Sequence, residues 1–468
     1  MAKKLKRHQK KTRRRENNYK KFWKLGSKDL STAHFDIREG NLVVREGNYQ
    51  YKIAELIKRF GTSLEIAFPF IIEERLNELF DNFTYYTKLN KYKGKFYFHY
   101  PMKVNQNKEF VLPIISEGGH IEVGSANELW LIKRLWEQDQ FTSKIRVICN
   151  GPKTNKYLGL IEELKGKNLD IIPIIENASE LDYLRSYRGD VGIRVDPELK
   201  IKSHWDKKVD QFGFNIKDLL NLGRIRNLKV LHYHAGSQIM SSDDLVGSAK
   251  LALDYYAKLK KINPSLDTLD IGSGMAVPYE KKKIYTVESI VKRIVRVLKS
   301  GADKAGIPHP NIIVEWGRHI VAPAQITVFK VLAEKPLNKS VAKGWYFIDG
   351  SFMNDLIDTW AIHQKWHVVP VNHMDAKKLT PIWLAGSSCD SDDKYTAGGN
   401  YIMLPKIDQF ENGEALFVAF LDTGAYQDAL SSHHCLLSSP AKIIAQNGVI
   451  TVARKRESAE DIGKLFGW

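Results

Sequence analysis

The chain has 468 residues, 43% of them hydrophobic and 11% aromatic, and a formal net charge of +17. That length and apolar content suit a globular protein of two domains, or one barrel with an appended domain. No apolar run is long enough to span a bilayer, no apolar stretch follows the basic N-terminus as in a secretory signal, and three scattered cysteines (Cys149, Cys389, Cys435) exclude a disulfide framework or a cysteine-based zinc site. The simplest setting is reducing and cytoplasmic.

The charge is uneven. Residues 1–24 carry twelve Lys or Arg against the single acid Glu16, a local +11, leaving +6 for the body. Residues 1–28 therefore read as a basic, disordered tail that could contact RNA, another acidic partner or an anionic surface, or simply remain solvated. Residues 29–68 follow with β-type runs (NLVV, YQYKI), a helix-like AELIKRF closed by Gly61, and the strand-like SLEIAFP.

Residues 69–327 alternate strand and helix. Eight strand candidates succeed one another: KFYFHY (95–100), HIEV (120–123), KIRVICN (144–150), DIIPIIE (170–176), DVGIRV (190–195), KVLHYH (229–234), TLDIG (268–272) and NIIVEW (311–316). Helix-periodic segments such as ANELWLIKRLWEQ and VESIVKRIVRVLKSGADKAG separate them. Eight such units predict an α/β fold of the (β/α)8 TIM-barrel type; an open dinucleotide-binding sheet is the runner-up, but no G-x-G-x-x-G follows the first strand. Residues 328–468 change to short β-rich runs with turn signals, including Asn447-Gly448, and predict a mostly antiparallel β domain completed by the N-terminal segment.

Barrels of this kind carry their chemistry at the C-terminal ends of the strands. Those ends read Lys103, Glu122, Asn150, Glu176, Arg194, His234, Gly272 and Glu315. A strand-end lysine is most often a solvated surface group, yet one beside an apolar strand can lose hydration, which lowers its pKa and suits it to form a Schiff base. Gly272-Ser273-Gly274 can bring backbone N–H groups to an anion, and Glu315-Trp316-Gly317-Arg318 sets a carboxylate and a guanidinium after the eighth strand. Lysine, anion loop and carboxylate on one rim describe a pyridoxal-phosphate (PLP) site.

Five segments then carry a resemblance. YPMKVNQ (100–106), HYHAGSQI (232–239), EWGR (315–318), CDSDD (389–393) and DTGAYQ (422–427) occur in one order across about residues 60–460. The chain resembles the fold-type III PLP decarboxylases, the group that includes the ornithine, diaminopimelate and biosynthetic arginine decarboxylases. It is most similar to the arginine branch, through YPMKVNQ, EVGS (122–125), ICNG (148–151), HYHAGSQI and DTWAIHQKWHVVPV (358–371). It departs by lacking that branch's extra helical segments, by Ser273 where glycine is usual, and by Trp316 where a small residue or proline is usual.

The resemblance implies a homodimer with shared active sites acting on an amino acid. Lys103 would carry the cofactor, Glu315 would face its ring nitrogen and His234 would stack on the ring. Gly272, Ser273, Gly274, Gly317, Arg318, Ser237 and Tyr426 would surround its phosphate, and Glu122 and Arg194 would line the pocket. Cys389 would protonate the product carbanion, though a cysteine is often merely a buried thiol. Asp390, with Asp355 or Asp358, would hold a cationic substrate end, and no metal is implied. L-arginine, giving agmatine for polyamine synthesis, is the expected substrate; meso-diaminopimelate, ornithine or lysine are alternatives. A racemase, a silent regulatory homologue and a nucleic-acid-binding protein with a passenger barrel are the other readings.

Overall fold

The computed structural model describes residues 16–138, 145–184, 186–198, 201, 211–280, 282–410 and 413–468. They form two compact units. One is built from the described residues up to Ile71 with Pro278–Lys283 and Val321–Trp468, the other from Ile72–Val277 with Ile284–Ile320. No helix among the described residues is long and apolar enough to cross a membrane.

The N-terminal segment differs from the expected disorder wherever it is described. Residues 16–22 are helical, and Trp23 and Leu25 are buried. Trp23 Nε1 donates to Met374 O at 2.9 Å, and its own carbonyl lies 2.8 Å from His367 Nε2. The charge run masked an aromatic anchor whose burial outweighs the cost of ordering the chain. The first part of the expected tail, 1–15, lies outside the described residues. Strands β1 (Phe35–Arg38), β2 (Asn41–Glu46) and β3 (Tyr49–Lys52) form a small antiparallel sheet, and β4 (Leu64–Ala67) joins a larger one.

The second unit is the predicted barrel. β5 (Phe96–Pro101), β6 (His120–Val123), β7 (Arg146–Cys149), β8 (Asp170–Ile175), β9 (Val191–Arg194), β10 (Leu228–His232), β11 (Thr268–Asp270) and β12 (Asn311–Val314) pair in parallel, and β12 returns to β5 to close the ring. Inward-facing Ile148, Ile172, Ile174, Val230 and Ile313 pack with Tyr97, so the interior is a filled core below the rim. Ser125, Thr154, Ser241 and Thr286 cap the helices after β6, β7, β10 and β11, each accepting a backbone N–H from three residues on. β10, β11 and β12 end two residues earlier than the hydrophobic runs suggest. At β11 the cause is local: Asp270 Oδ1 accepts the Gly272 N–H at 2.9 Å, and Gly272, at φ +60°, turns the chain away.

In the first unit, β13 (Gln325–Pro336), β14 (Gly344–Ile348), β15 (Val368–Pro370), β16 (Leu379–Ala385), β17 (Lys394–Tyr395), β18 (Ile402–Pro405), β19 (Phe417–Phe420), β20 (Ala441–Gln446) and β21 (Val449–Arg454) combine with β4 into one ten-stranded sheet. Its spine runs β17-β16-β14-β13-β4-β20-β21, with only β14·β16 and β4·β20 parallel. Asn447 and Gly448, both at positive φ, make the tight turn between β20 and β21.

Candidate active site

The barrel mouth gathers most of the residues its strand ends predict. Lys103 sits in the short helical turn Met102–Val104 directly after β5. Its neighbours Met102 and Val104 are buried, but the lysine side chain is exposed, so it does not have the desolvated position the hydrophobic run suggested. Its positive charge nevertheless acts on Glu122, Asp270 and Glu315 and lowers the pKa of each.

Those three carboxyls, with His232, form a buried cluster. His232 Nδ1 lies 3.0 Å from Asp270 Oδ2 and 4.0 Å from Glu315 Oε1, and Asn150 Nδ2 donates to Glu315 Oε1 at 3.2 Å. Burial is the first cause of every shift: Glu122 rises to about 8, and Asp270 and Glu315 to about 7, Glu315 being raised further by Asp270. His232 falls to about 4 for the same reason and is neutral. Ligand atoms of His232, Asp270 and Glu315 lie within 4.8 Å of one another.

The neighbouring loops are fastened together. Gln238 Nε2 donates to Val277 O at 2.6 Å, and Val277 N–H returns a bond to Gln238 Oε1 at 2.9 Å. Ile239 N–H donates to Gly274 O at 2.9 Å, and Ser273 N–H to His234 Nδ1 at 3.4 Å. The loops after β10 and β11, which hold His234, Ser237, Gly272, Ser273 and Gly274, are thereby one body. A Cβ on Gly272 would stand 2.3 Å from Tyr233 O, so only glycine allows this approach. Gly317 is similarly tight, since its Cβ would meet Pro101 Cγ at 2.7 Å, and it is followed by the buried Arg318. Trp316 is wholly buried, its ring 6.2 Å from Phe83, so the unusual residue is part of the packing beneath the barrel's helices.

At the end of the adjoining strand β9, Arg194 Nη1 lies 3.3 Å from Glu176 Oε2 and stacks over Phe212. Glu176 also accepts the Gly151 N–H at 2.7 Å, which accounts for that strand-end acid as a loop fastener. Glu128 plays a similar part, accepting from Gln106 Nε2 at 2.9 Å and Gly124 N–H at 2.7 Å. Lys153 is a second rim lysine that strand-end reasoning missed. Its side chain is fully buried, its Nζ lies 3.3 Å from Glu180 Oε2, and burial lowers its pKa.

The remaining predicted residues belong to the first unit. Cys389 and Asp390 lie in the turn after β16; Cys389 is exposed and its Sγ is 3.7 Å from Cys435 Sγ, while Asp390 Oδ2 is 3.3 Å from His434 Nε2. Tyr426 is half-buried at φ +70°. Asp355 and Asp358 are buried. Asp355 Oδ2 accepts the Ser351 N–H at 2.9 Å, and burial raises its pKa well above the usual range. Asp358 opens a one-turn helix, its N–H bonded to Gln427 Oε1.

These side chains suit a PLP ring on one observation. Both Glu122 carboxylate oxygens are buried with no hydrogen-bond partner among the described residues, beside a second raised carboxyl, Glu315. Such a pair is under-supplied with positive charge, and a protonated pyridine nitrogen is a cation that fills that need.

Residues 80–322 match the family described as pyridoxal-dependent decarboxylase, pyridoxal binding domain. The chain is 25% identical over 476 residues to an arginine decarboxylase of Avena sativa, covering 82% of this chain and 78% of that one. It is 27% identical over 356 residues to a biosynthetic arginine decarboxylase of Rhodopirellula baltica, covering 68% of this chain but only 52% of that longer protein. The crystal structure of the biosynthetic arginine decarboxylase SpeA from Campylobacter jejuni superposes with a TM-score of 0.82 at 20% identity, over 95% of this chain and 92% of that one, a likeness of fold. Barrel, rim chemistry and family match agree: the chain belongs to the pyridoxal-dependent decarboxylases.

Proposed function

We propose that the protein is a PLP-dependent decarboxylase that converts L-arginine to agmatine, as a homodimer in a cytoplasmic, polyamine-forming setting. The observation that carries the chemistry is the buried Glu122/Asp270/Glu315 cluster under the charge of Lys103. The names of the similar proteins, arginine decarboxylases from Avena sativa and Rhodopirellula baltica, support the substrate.

In this reading Lys103 carries the cofactor, His234 covers one ring face, and Glu315 faces the ring nitrogen. Ser237, Gly272, Ser273, Gly274, Gly317, Arg318 and Tyr426 receive the phosphate; Glu122 and Arg194 line the pocket. Bound PLP supplies an electron sink for the pair left behind when the substrate carboxylate departs as CO2. Glu315 Oε1, held by Asn150, keeps a proton at the ring nitrogen, and neutral His232 and Asp270 hold Glu315 in place. Cys389 of a second copy delivers a proton from Sγ to the substrate carbon. Asp390 pairs with the guanidinium, a role that its partly open carboxylate suits better than the buried Asp355 or Asp358. The exposed apolar side chains Leu430, Leu436, Phe466 and Trp468 support association of two copies.

The test is CO2 release by the PLP-loaded protein from a panel of amino acids. Arginine should give the highest kcat/KM. A higher value for ornithine, lysine or meso-diaminopimelate would reassign the substrate and leave the decarboxylase in place.

A further inference from the structure

Cys389 and Cys435 are far apart in sequence, yet their sulfurs lie 3.7 Å apart on an exposed surface. The approach is fixed by the framework beneath it. Buried Asp393 accepts the Ser388 N–H at 3.1 Å and the Phe352 N–H at 2.7 Å, fastening the Cys389 loop to the turn at 351–354. Buried Asn354, in the same turn, accepts the His434 N–H at 3.0 Å and donates to His434 O at 3.3 Å, fastening the Cys435 loop. Cys435 and Leu436 are held at φ +55° and +52°, a left-handed conformation that β-carbon-bearing residues seldom adopt and that turns the Cys435 side chain's backbone sharply. One rigid turn therefore presents both thiols to each other. A disulfide needs the sulfurs at about 2 Å, a closure that side-chain rotation can supply.

We propose that Cys389 and Cys435 form a redox modification site, closing to an intramolecular disulfide when the protein meets a peroxide. The thiolate of one cysteine attacks the O–O bond of hydrogen peroxide, giving a sulfenic acid and one water. The other sulfur attacks that sulfenyl sulfur, the S–O bond breaks, and hydroxide leaves with the second thiol proton as water. Two thiols are oxidised by two electrons in all, and one peroxide is reduced to two waters. Cys435 beside it raises the pKa of Cys389, and its sulfur is the nearest thiol to resolve an oxidised Cys389. A metal is less suited to the pair: among the described residues the only group of three or more metal-type ligands is His232, Asp270 and Glu315 in the other unit. Cys149, buried and raised to about 12, stands outside the reaction.

The effect on turnover, and only that, rests on Cys389 being the proton donor. The full-length, PLP-loaded protein is treated with hydrogen peroxide, denatured, alkylated with N-ethylmaleimide and digested without reduction. The expected result is a peptide pair joined through Cys389 and Cys435, lighter by two hydrogens, with Cys149 alkylated. CO2 release from arginine should fall by about a hundredfold, the scale of a lost general acid, and return with dithiothreitol. Cys435→Ser, with Cys435→Ala as a second variant, should keep the starting activity, give no joined peptide, and lose the dithiothreitol-reversible response. Separate alkylation or oxidation of both cysteines in the treated protein, or one equivalent of zinc held by them, overturns the proposal. A joined peptide with unchanged turnover upholds the modification site and removes Cys389 from the proton-donor role.

Discussion

His232 Nδ1 lies 3.0 Å from Asp270 Oδ2, with both side chains shut away from solvent inside the barrel. The pair sits beside Glu315 and sets how that carboxyl is held. Asp270 acts on two neighbours, Glu315 beside it and the loop after β11, whose Gly272 N–H it accepts through Oδ1.

Replacing Asp270 by Asn keeps the shape but alters the proton sharing around Glu315. An unsatisfied buried partner costs about 1–3 kcal/mol, so PLP should bind roughly ten- to a hundredfold more weakly. Absorbance titration of the cofactor-free protein checks this; unchanged affinity would remove Asp270 and His232 from any positioning role.

Protons should also report the cluster. Glu122 moves from 4.5 to about 8, Asp270 from 3.8 to about 7 and Glu315 from 4.5 to about 7. A raised folded-state pKa gives stability that is full below the unfolded value and lost as pH rises through the folded one. These three carboxyls should therefore withdraw stability from the cofactor-free protein between pH 3.8 and about 8, while His232, lowered from 6.5 to about 4, adds stability over the lower part of that range. Glu122→Gln removes one of the opposed terms, so its stability relative to the parent should grow as pH rises from 4.5 to about 8; a difference that does not grow contradicts the assignment.

Two rim lysines make the attachment site a sharp question. Borohydride reduction of the PLP-loaded protein should leave the cofactor on Lys103, exposed beside the cluster, and not on Lys153, whose amine is engaged by Glu180. Peptide mapping decides between them. An adduct on Lys153 would move the site from the end of β5 to the end of β7.

Mixing Lys103→Ala chains with Cys389→Ala chains, each inactive alone, should restore part of the activity if a site draws on two copies, because a hybrid dimer has one intact site. No recovery, with exchange of subunits verified, argues for a site contained in one chain.

In the first unit, Lys442 Nζ lies 2.6 Å from Asp428 and 3.3 Å from Glu65, and Arg454 reaches the same two acids at 3.3 and 2.9 Å. Lys442→Met leaves buried carboxylates short of a cation and should cost about 3–5 kcal/mol in denaturant unfolding. A loss under about 1 kcal/mol would mean that Arg454 alone suffices.

The barrel was legible because its strands are buried on both faces and so appear as apolar runs, and because a lysine, a histidine and Glu-Trp-Gly-Arg fall at their ends. His232 and Asp270 were not, because inside a strand a polar residue looks like a break in the run; only the side-by-side pairing of β10, β11 and β12 brings them beside Glu315. Lys153 was missed since it follows β7 by four residues, in a loop that folds back over the rim. The burial of Asp355 and Asp358 was not legible for a different reason: an acidic residue in a short segment carries no mark of whether its carboxyl meets solvent or a backbone N–H. Trp23 was hidden by the lysines around it.

The position of β4 has a consequence for how the chain is made. It lies between β13 and β20 in the large sheet, paired antiparallel with one and parallel with the other. A ribosome releases Leu64–Ala67 long before Gln325–Pro336, and Ala441–Gln446 comes last of the three. The barrel strands between them can close while β4 still waits with both edges open. Final assembly is thus a long-range event governed by the end of translation, and a nascent or truncated chain that stops short of Ala441 carries an apolar strand edge open to wrong partners.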